Sequence, residues 1–284
     1  ISITKINKII DMFKFDENDC EITIEINPND VNEKYLTRLK STKINRISIG
    51  VQSFNNDILK IIGRKHTSFE AINAIKKLNE AGYKNISLDF IYGLPNQTLE
   101  DFKNDLKFAI NLDISHISLY GLKIDKGCYF YKHKLQNLIN EDEQSVYYNY
   151  ACSFLNKNGF KQYEISNFAK DGYFSKHNIN YWHCGKYYGF GAGACGYDGD
   201  MRYQNSTNLK KYIENPFEKE TEEVLTYNDK LYEAIILGFR MVCGVDVKKI
   251  NSQFNIDFEK KYKIQLEEYK SYIKKNKKGN YYLT

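Results

Sequence analysis

Asn45-Arg46-Ile47-Ser48-Ile49-Gly50-Val51-Gln52-Ser53-Phe54 reads as an apolar strand that runs into an amide side chain, and it sets the pattern for the first half of the chain. The same arrangement precedes it, where Ile22-Thr23-Ile24 meets Glu25, and follows it, where Ile86-Ser87-Leu88 meets Asp89. A fourth run, His116-Ile117-Ser118-Leu119-Tyr120, ends at Gly121 with Lys123 just beyond. Between these runs apolar residues recur at helical spacing, as in Ala71, Ile72, Ile75 and Leu78 or Phe102, Leu106 and Ile110. The order is β-α-β-α-β-α-β. Consecutive βα units bring the C-terminal ends of all strands to one mouth of a barrel or one edge of an open sheet, where such folds bind ligands. Glu25, Gln52 and Asp89 are therefore expected to converge there. A doubly wound sheet shares these elements, but polar residues at successive strand ends favour a barrel.

The 284 residues suffice for one large α/β domain and a small appendage, and the 42% of hydrophobic residues is ample for a core. Mean hydropathy is -0.59, and no run approaches the roughly 18 apolar residues of a spanning helix. The net charge of +5 is dispersed except at Lys274-Lys275-Asn276-Lys277-Lys278, which reads as a solvated helix end and not as a nucleic-acid patch. Six cysteines (Cys20, Cys128, Cys152, Cys184, Cys195, Cys243) stand far apart and no secretory signal is present, which fits a reducing cytoplasm. The chain starts at Ile1 inside an apparent helix and stops at Thr284 partway through an apparent strand, so both ends read as cut.

The βα regularity ends near residue 125. A helix from about Asp142 to Asn158 leads into Gln162-Tyr163-Glu164-Ile165-Ser166-Asn167-Phe168-Ala169, then His177-Asn178-Ile179-Asn180-Tyr181-Trp182, then a glycine-rich loop from Gly189 to Gly196. Gly191, Gly193 and Gly196 have a G-x-G-x-x-G spacing, but the loop comes late and Met201–Asn205 after it reads as a strand, so a dinucleotide site is rejected. Close approach of backbone to a ligand or to the barrel mouth is the better account. From about Thr226, three amphipathic helices (near Leu231–Phe239, Val247–Phe254 and Phe258–Ile273) precede a final strand, as in a winged-helix module. The expected division is a βα core over 1–125, its completion over 126–225 and a helical module over 226–284.

Each polar candidate has two readings. Glu25 either accepts hydrogen bonds from the following turn or binds ribose hydroxyls or an ammonium group. Gln52 either ends an ordinary strand or donates and accepts at the mouth. Arg64, after Gly63, either caps the preceding helix or offers its fork of donors to a carboxylate. Asp89 lies among Ile, Leu and Phe, where an acid without a partner is costly. His177, Tyr181 and Trp182 are either a structural histidine with two core aromatics or a porphyrin-binding group.

Taken in order, Glu21–Pro28, Asn45–Phe54, Gly63-Arg64-Lys65-His66 and Asp89–Thr98 resemble the radical S-adenosylmethionine family, and within it the branch of oxygen-independent coproporphyrinogen III oxidase (HemN) and the heme chaperone HemW. The resemblance covers nearly the whole chain. It implies a partial (β/α) barrel of the TIM type, lacking its first strands, followed by a small helical domain. It also implies that Arg64 pairs with the methionine carboxylate of S-adenosylmethionine, that Glu25, Gln52 and Asp89 contact its ribose or amino group, and that Lys123 lines the pocket. The H-N-x-x-Y-W motif implies heme, with His177 as a candidate iron ligand and Tyr181 and Trp182 against the porphyrin face.

The family's [4Fe-4S] cluster needs a C-x-x-x-C-x-x-C loop, and this chain has none. The chain is therefore read as a fragment without radical chemistry as it stands, the cluster belonging only to a longer protein. The function implied is heme binding and delivery to acceptor proteins such as respiratory enzymes, with peripheral membrane association through those acceptors. The alternative is oxidation of coproporphyrinogen III in porphyrin biosynthesis.

Overall fold

The structure, a computed structural model, describes residues 2–16, 19–127, 129–133 and 137–284, so Cys128 lies outside the described residues. The chain forms two compact units, Ile1–Gln162 with Ser166–Phe174, and Tyr163–Ile165 with Ser175–Thr284. The boundary thus falls inside the expected 126–225 segment.

In the first unit, α1 (Ile3–Ile10) is followed by β1 (Thr23–Ile26), α2 (Glu33–Leu39), β2 (Arg46–Gln52), α3 (Asn56–Ile61), α4 (Ser68–Glu80), β3 (Ile86–Tyr92), α5 (Leu99–Ile110) and β4 (His116–Gly121). Then come α6 (Tyr129–His133), α7 (Glu141–Lys157), β5 (Lys161–Glu164), which runs across the boundary, and β6 (Asn167–Ala169). The sheet order is β1-β2-β3-β4-β6-β5. β1 to β4 are parallel, as the βα repeat requires, and β6 joins β4 antiparallel. Helix starts follow local chemistry. Thr67 with Glu70, and Thr98 with Asp101, form reciprocal capping boxes that satisfy the first free amides of α4 and α5.

Register gives the sheet two unlike faces. Ile26, Ile49, Leu88, Ile117 and Phe168 align across five strands. They share a core with Leu39, Ile75, Leu78, Phe102, Leu106 and Leu155 of the helices. Each such side chain contributes about 1.5–3 kcal/mol by leaving water. One residue along, Glu25, Ser48, Ser87 and His116 align, and two further on Gly50, Asp89 and Ser118 align with Asn167. Because successive side chains alternate, these lie on the opposite, polar face. The strands run further than their apolar runs suggest. Asp89 is the fourth residue of seven in β3 and Glu25 the third of four in β1, so both lie within strands and not beyond them.

In the second unit, α8 (Lys176–Trp182) precedes β7 (Cys195–Tyr197), β8 (Met201–Asn205), α9 (Leu209–Glu214) and β9 (Lys219–Val224). β7, β8 and β9 form an antiparallel sheet in that order. After them come α10 (Tyr227–Arg240), α11 (Val247–Phe254), α12 (Phe258–Lys261), α13 (Lys263–Glu268), β10 (Ile273–Lys275) and β11 (Tyr281–Leu283). Leu231, Val245, Ile250, Phe254 and Phe258 form its core. The helix expected over 258–273 is instead two short helices and a strand, and the final strand closes a hairpin with β10. Among the described residues no helix is long and apolar enough to cross a membrane.

Candidate functional site

β2 ends irregularly. Its register with β3 shifts between Gly50 and Gln52, and Gln52 has φ 68°, a left-handed conformation uncommon outside glycine. The Gln52 amide comes back over Gly50. A methyl group on Gly50 would lie 2.9 Å from Gln52 Nε2 and 2.9 Å from Arg64 Nη2, so the missing side chain is the space in which these two groups meet. Arg64 Nη2 donates to the Gly50 carbonyl at 2.7 Å and to Asn27 Oδ1 at 2.9 Å. Its guanidinium is therefore turned to the ends of β1 and β2 and not back on α3, which sets aside the helix-capping role. Burial lowers its pKa from the usual arginine value. His66, buried two residues on, holds the Val51 carbonyl at 3.1 Å, and burial draws its pKa below the ordinary imidazole value. A cavity of about 330 Å³ opens here, lined by Asn27, Asn29, Asp30, Gly63, Arg64 and His66.

On the polar face the Asp89 carboxylate accepts from Ser48 Oγ at 3.0 and 3.1 Å and from Ser118. Burial pushes its pKa up to about 6; the two serines and Arg46 pull it down, and Glu25 pushes it further up. Glu25, Asp89 and Arg46 are thus within electrostatic reach of one another. Glu25 itself is exposed. His116 is fully buried, with Nδ1 at 2.7 Å from Ser87 Oγ, and burial first, then Arg46, takes its pKa well below the usual value. Ser48, Ser118, Arg46 and His116 were not among the sequence candidates. Their signal is the period-two pattern Arg46-x-Ser48-x-Gly50, Ser87-x-Asp89 and His116-x-Ser118. Lys123 lies in the loop after β4, exposed and 3.4 Å from Asp125, and no contact among the described residues joins it to the other four.

The H-N-x-x-Y-W motif forms α8, begun by Ser175, whose hydroxyl accepts from the Asn178 amide at 3.3 Å. His177 is exposed, and its ring meets Tyr181 edge-on at 4.6 Å, one helical turn along. Tyr181 in turn meets Tyr187 at 4.5 Å. On the other side the Arg240 guanidinium carbon lies 4.1 Å over the Trp182 ring, and Arg240 Nε lies 2.8 Å from Glu164, which is wholly buried. The Glu164 of Gln162–Ala169 and the Trp182 of the next motif are thus linked through one arginine. The link was invisible in the sequence because Arg240 comes from a third segment. Trp182 lines two cavities. One, of about 320 Å³, includes Tyr181, Tyr187, Tyr197 and the ion-paired Arg202 and Glu233; the other, of about 200 Å³, includes Cys184, Met241, Cys243 and Ile250. The indole N–H is buried and has no hydrogen-bond partner among the described residues. His177 lines neither cavity. Aromatic walls and a free donor suit a flat, largely apolar ligand with polar edges.

The glycine-rich loop packs closely on residues of its own unit. A side chain at Gly189 would strike the Cys195 carbonyl at 2.2 Å and one at Gly196 the Tyr203 ring at 2.1 Å. Asn205 Nδ2 donates to the Gly189 and Gly191 carbonyls, both at 3.0 Å. Among the described residues no three His, Cys, Asp or Glu side chains are grouped to hold a metal ion. The side chains present therefore do not fit a thiolate-bound cluster, whereas the Gln52–Arg64 corner does fit the carboxylate end of an amino acid.

The Radical SAM superfamily profile matches residues 2–109, and that of the HemN C-terminal domain matches residues 225–272. The heme chaperone HemW of Lactococcus lactis is 40% identical over 253 residues, which is 87% of this chain and 67% of that protein. HemW of Bacillus subtilis is 36% identical over 266 residues, 89% of this chain and 70% of that protein. The solved coproporphyrinogen III oxidase HemN of Escherichia coli, a radical SAM enzyme, superposes with a TM-score of 0.84 over 99% of this chain and 70% of its own at 21% identity, a likeness of fold.

Proposed function

The chain belongs to the HemW-like family of radical SAM proteins, and from that membership we propose that it binds heme and passes it to acceptor proteins. The observation that carries the reading is α8, where Tyr181 and Trp182 line one aromatic cavity and the exposed His177, outside it, meets the Tyr181 ring. In this reading the aromatic rings pack on the porphyrin and the Trp182 N–H meets one of its polar edges, with His177 offering imidazole to the iron. Heme is the cargo, and acceptors such as respiratory enzymes would bring the protein to a membrane surface from the cytoplasm. The Gln52–Arg64 corner holds S-adenosylmethionine, Arg64 meeting the methionine carboxylate while Gln52, Glu25 and Asp89 meet its amino group or ribose.

Absorbance titration of heme into the wild type and His177→Ala tests the chaperone reading. A weaker affinity or a changed Soret band is expected in the variant, and an identical titration removes the role given to His177. Calorimetric titration of S-adenosylmethionine tests the other site separately.

A further inference from the structure

The left-handed Gln52 is braced from both sides, and only one side belongs to the site already described. Arg64 and His66 hold the carbonyls of Gly50 and Val51. On the far side, α5 presents two acids. Asp105 is 2% exposed, and its carboxylate accepts from Ser53 Oγ at 2.8 Å through one oxygen and from the Phe54 backbone N–H at 2.6 Å through the other. Ser53, wholly buried, takes the Asn55 N–H at 3.0 Å on the same hydroxyl. Asn55 Nδ2 then donates to Asp101 Oδ1 at 3.0 Å. The segment 53–55 is thereby fastened to α5 residue by residue, directly after the strained position.

The second loop of the mouth meets the same acid. Gln97 borders the Asp105 carboxyl and draws its pKa down. The Gln97 Oε1 accepts from the N–H groups of Gly93 and Leu94 at 2.9 and 3.3 Å, and these residues follow β3, the strand that carries Asp89. A buried acid would be expensive here if its only effect were to fill space, since an alanine or leucine fills a helix–sheet interface without desolvating a charge. Its two oxygens are instead divided between a side chain and a backbone amide of the segment that directly follows the left-handed Gln52.

We propose that Asp105 is a positioning residue that, with Ser53, pins the loop after β2 to α5 and so holds Gln52 in its left-handed conformation with the amide beside Arg64. The inference rests on the reading of Gln52 as a cofactor contact. Asp105 touches no ligand itself; it acts through the backbone of residues 52–54.

The test compares wild type, Asp105→Asn and Ser53→Ala by hydrogen exchange and by calorimetric titration with S-adenosylmethionine. In Asp105→Asn the Phe54 and Asn55 amides are expected to exchange about tenfold faster, those of β3 to stay unchanged, and affinity to fall about tenfold. Ser53→Ala, which removes one bond and keeps the acid, is expected to give about a threefold change in both. Should Asp105→Asn fail to fold, Ser53→Ala decides. Unchanged exchange at Phe54 and Asn55 overturns the proposal, and so does faster exchange spread evenly over β3, which would mean lost packing and not lost positioning. Faster local exchange with full affinity also overturns it. If the wild type binds no S-adenosylmethionine, the cofactor reading falls, while the exchange result still decides whether Asp105 holds the loop.

Discussion

Replacing Gly50 with alanine should damage the site while sparing the fold. The new methyl carbon would sit 2.9 Å from both Gln52 Nε2 and Arg64 Nη2, and no backbone atom is among its close neighbours. Ordinary contact begins near 3.4 Å, so each group must retreat by about half an ångström, and both are free ends of flexible side chains. Retreat stretches the 2.7 Å bond from Arg64 to the Gly50 carbonyl, a charge-assisted bond worth about 1.5–3 kcal/mol. Gly50 does not have a positive φ, so alanine is compatible with its backbone and returns about 0.4–1 kcal/mol by restricting the unfolded chain. The net loss is about 1–2 kcal/mol, or about 2–6 °C in Tm. Ligand affinity should suffer more, because Arg64 and Gln52 are displaced together; a loss of about 1.4–2.8 kcal/mol is a factor of about 10–100 in Kd. Thermal unfolding and calorimetric titration with S-adenosylmethionine measure both quantities on the same sample. An alanine variant that keeps wild-type affinity refutes the assignment of this corner, and one that unfolds outright shows Gly50 to be needed for the fold instead.

Two further outcomes follow from buried charge. Burial raises Asp105 from the model-peptide value near 3.8 to about 7, so folding disfavours its ionised form; the stability it contributes is full below about pH 4 and is lost as pH rises through about 7. Denaturant unfolding should therefore show wild-type stability falling relative to Asp105→Asn by up to about 4 kcal/mol between pH 4 and 8, and parallel profiles would contradict the placement. In the second unit Arg240→Met removes the guanidinium 2.8 Å from the fully buried Glu164 carboxylate, for an expected loss of about 3–5 kcal/mol in denaturant unfolding, with a shift in the emission of Trp182, the one tryptophan of the chain. Unaltered stability and emission would mean that the arginine supports neither group.

The parallel βα order was legible because buried parallel strands are short apolar runs and their helices carry a different period. Ile47–Val51 and Ala71–Leu78 differ in kind, and no tertiary information is needed to tell them apart. Gln52 and Asp89 stood out as candidates for the same reason, since each ends or interrupts an apolar run, and Arg64 because it follows Gly63. What stayed hidden depends on residues brought together over long separations. Arg64 could cap α3 or turn to β1 and β2, and only the backbone geometry at Gly50 and Gly63 decides. Ser48 and Ser118 look like ordinary strand residues until register sets them on either side of Asp89. The Glu164–Arg240–Trp182 link joins segments 18 and more residues apart, and the helix expected over 258–273 failed because amphipathic spacing continues through the break at Tyr262.

The polar face of the sheet also sorts its residues by what they are free to do. Asp89 accepts from two serine hydroxyls, and His116 is held by Ser87, so both are fixed in place before any ligand arrives. Side chains so fixed shape a field more readily than they chase a ligand. Glu25 is exposed on the same face, and Gln52 and Arg64 stand at its rim with only Nη2 of the arginine engaged among the described residues. Arg46, 5% exposed and with an Nε that has no hydrogen-bond partner among the described residues, lowers the Asp89 pKa from the row below. In the reading proposed above, a cationic amino group would meet the Asp89 carboxylate, with Glu25 and Gln52 as further acceptors. In that reading Arg64, held beside Gly50, would meet the carboxylate of the same molecule. Gly50, the one residue on β2 that has no side chain, leaves the space in which Gln52 and Arg64 meet.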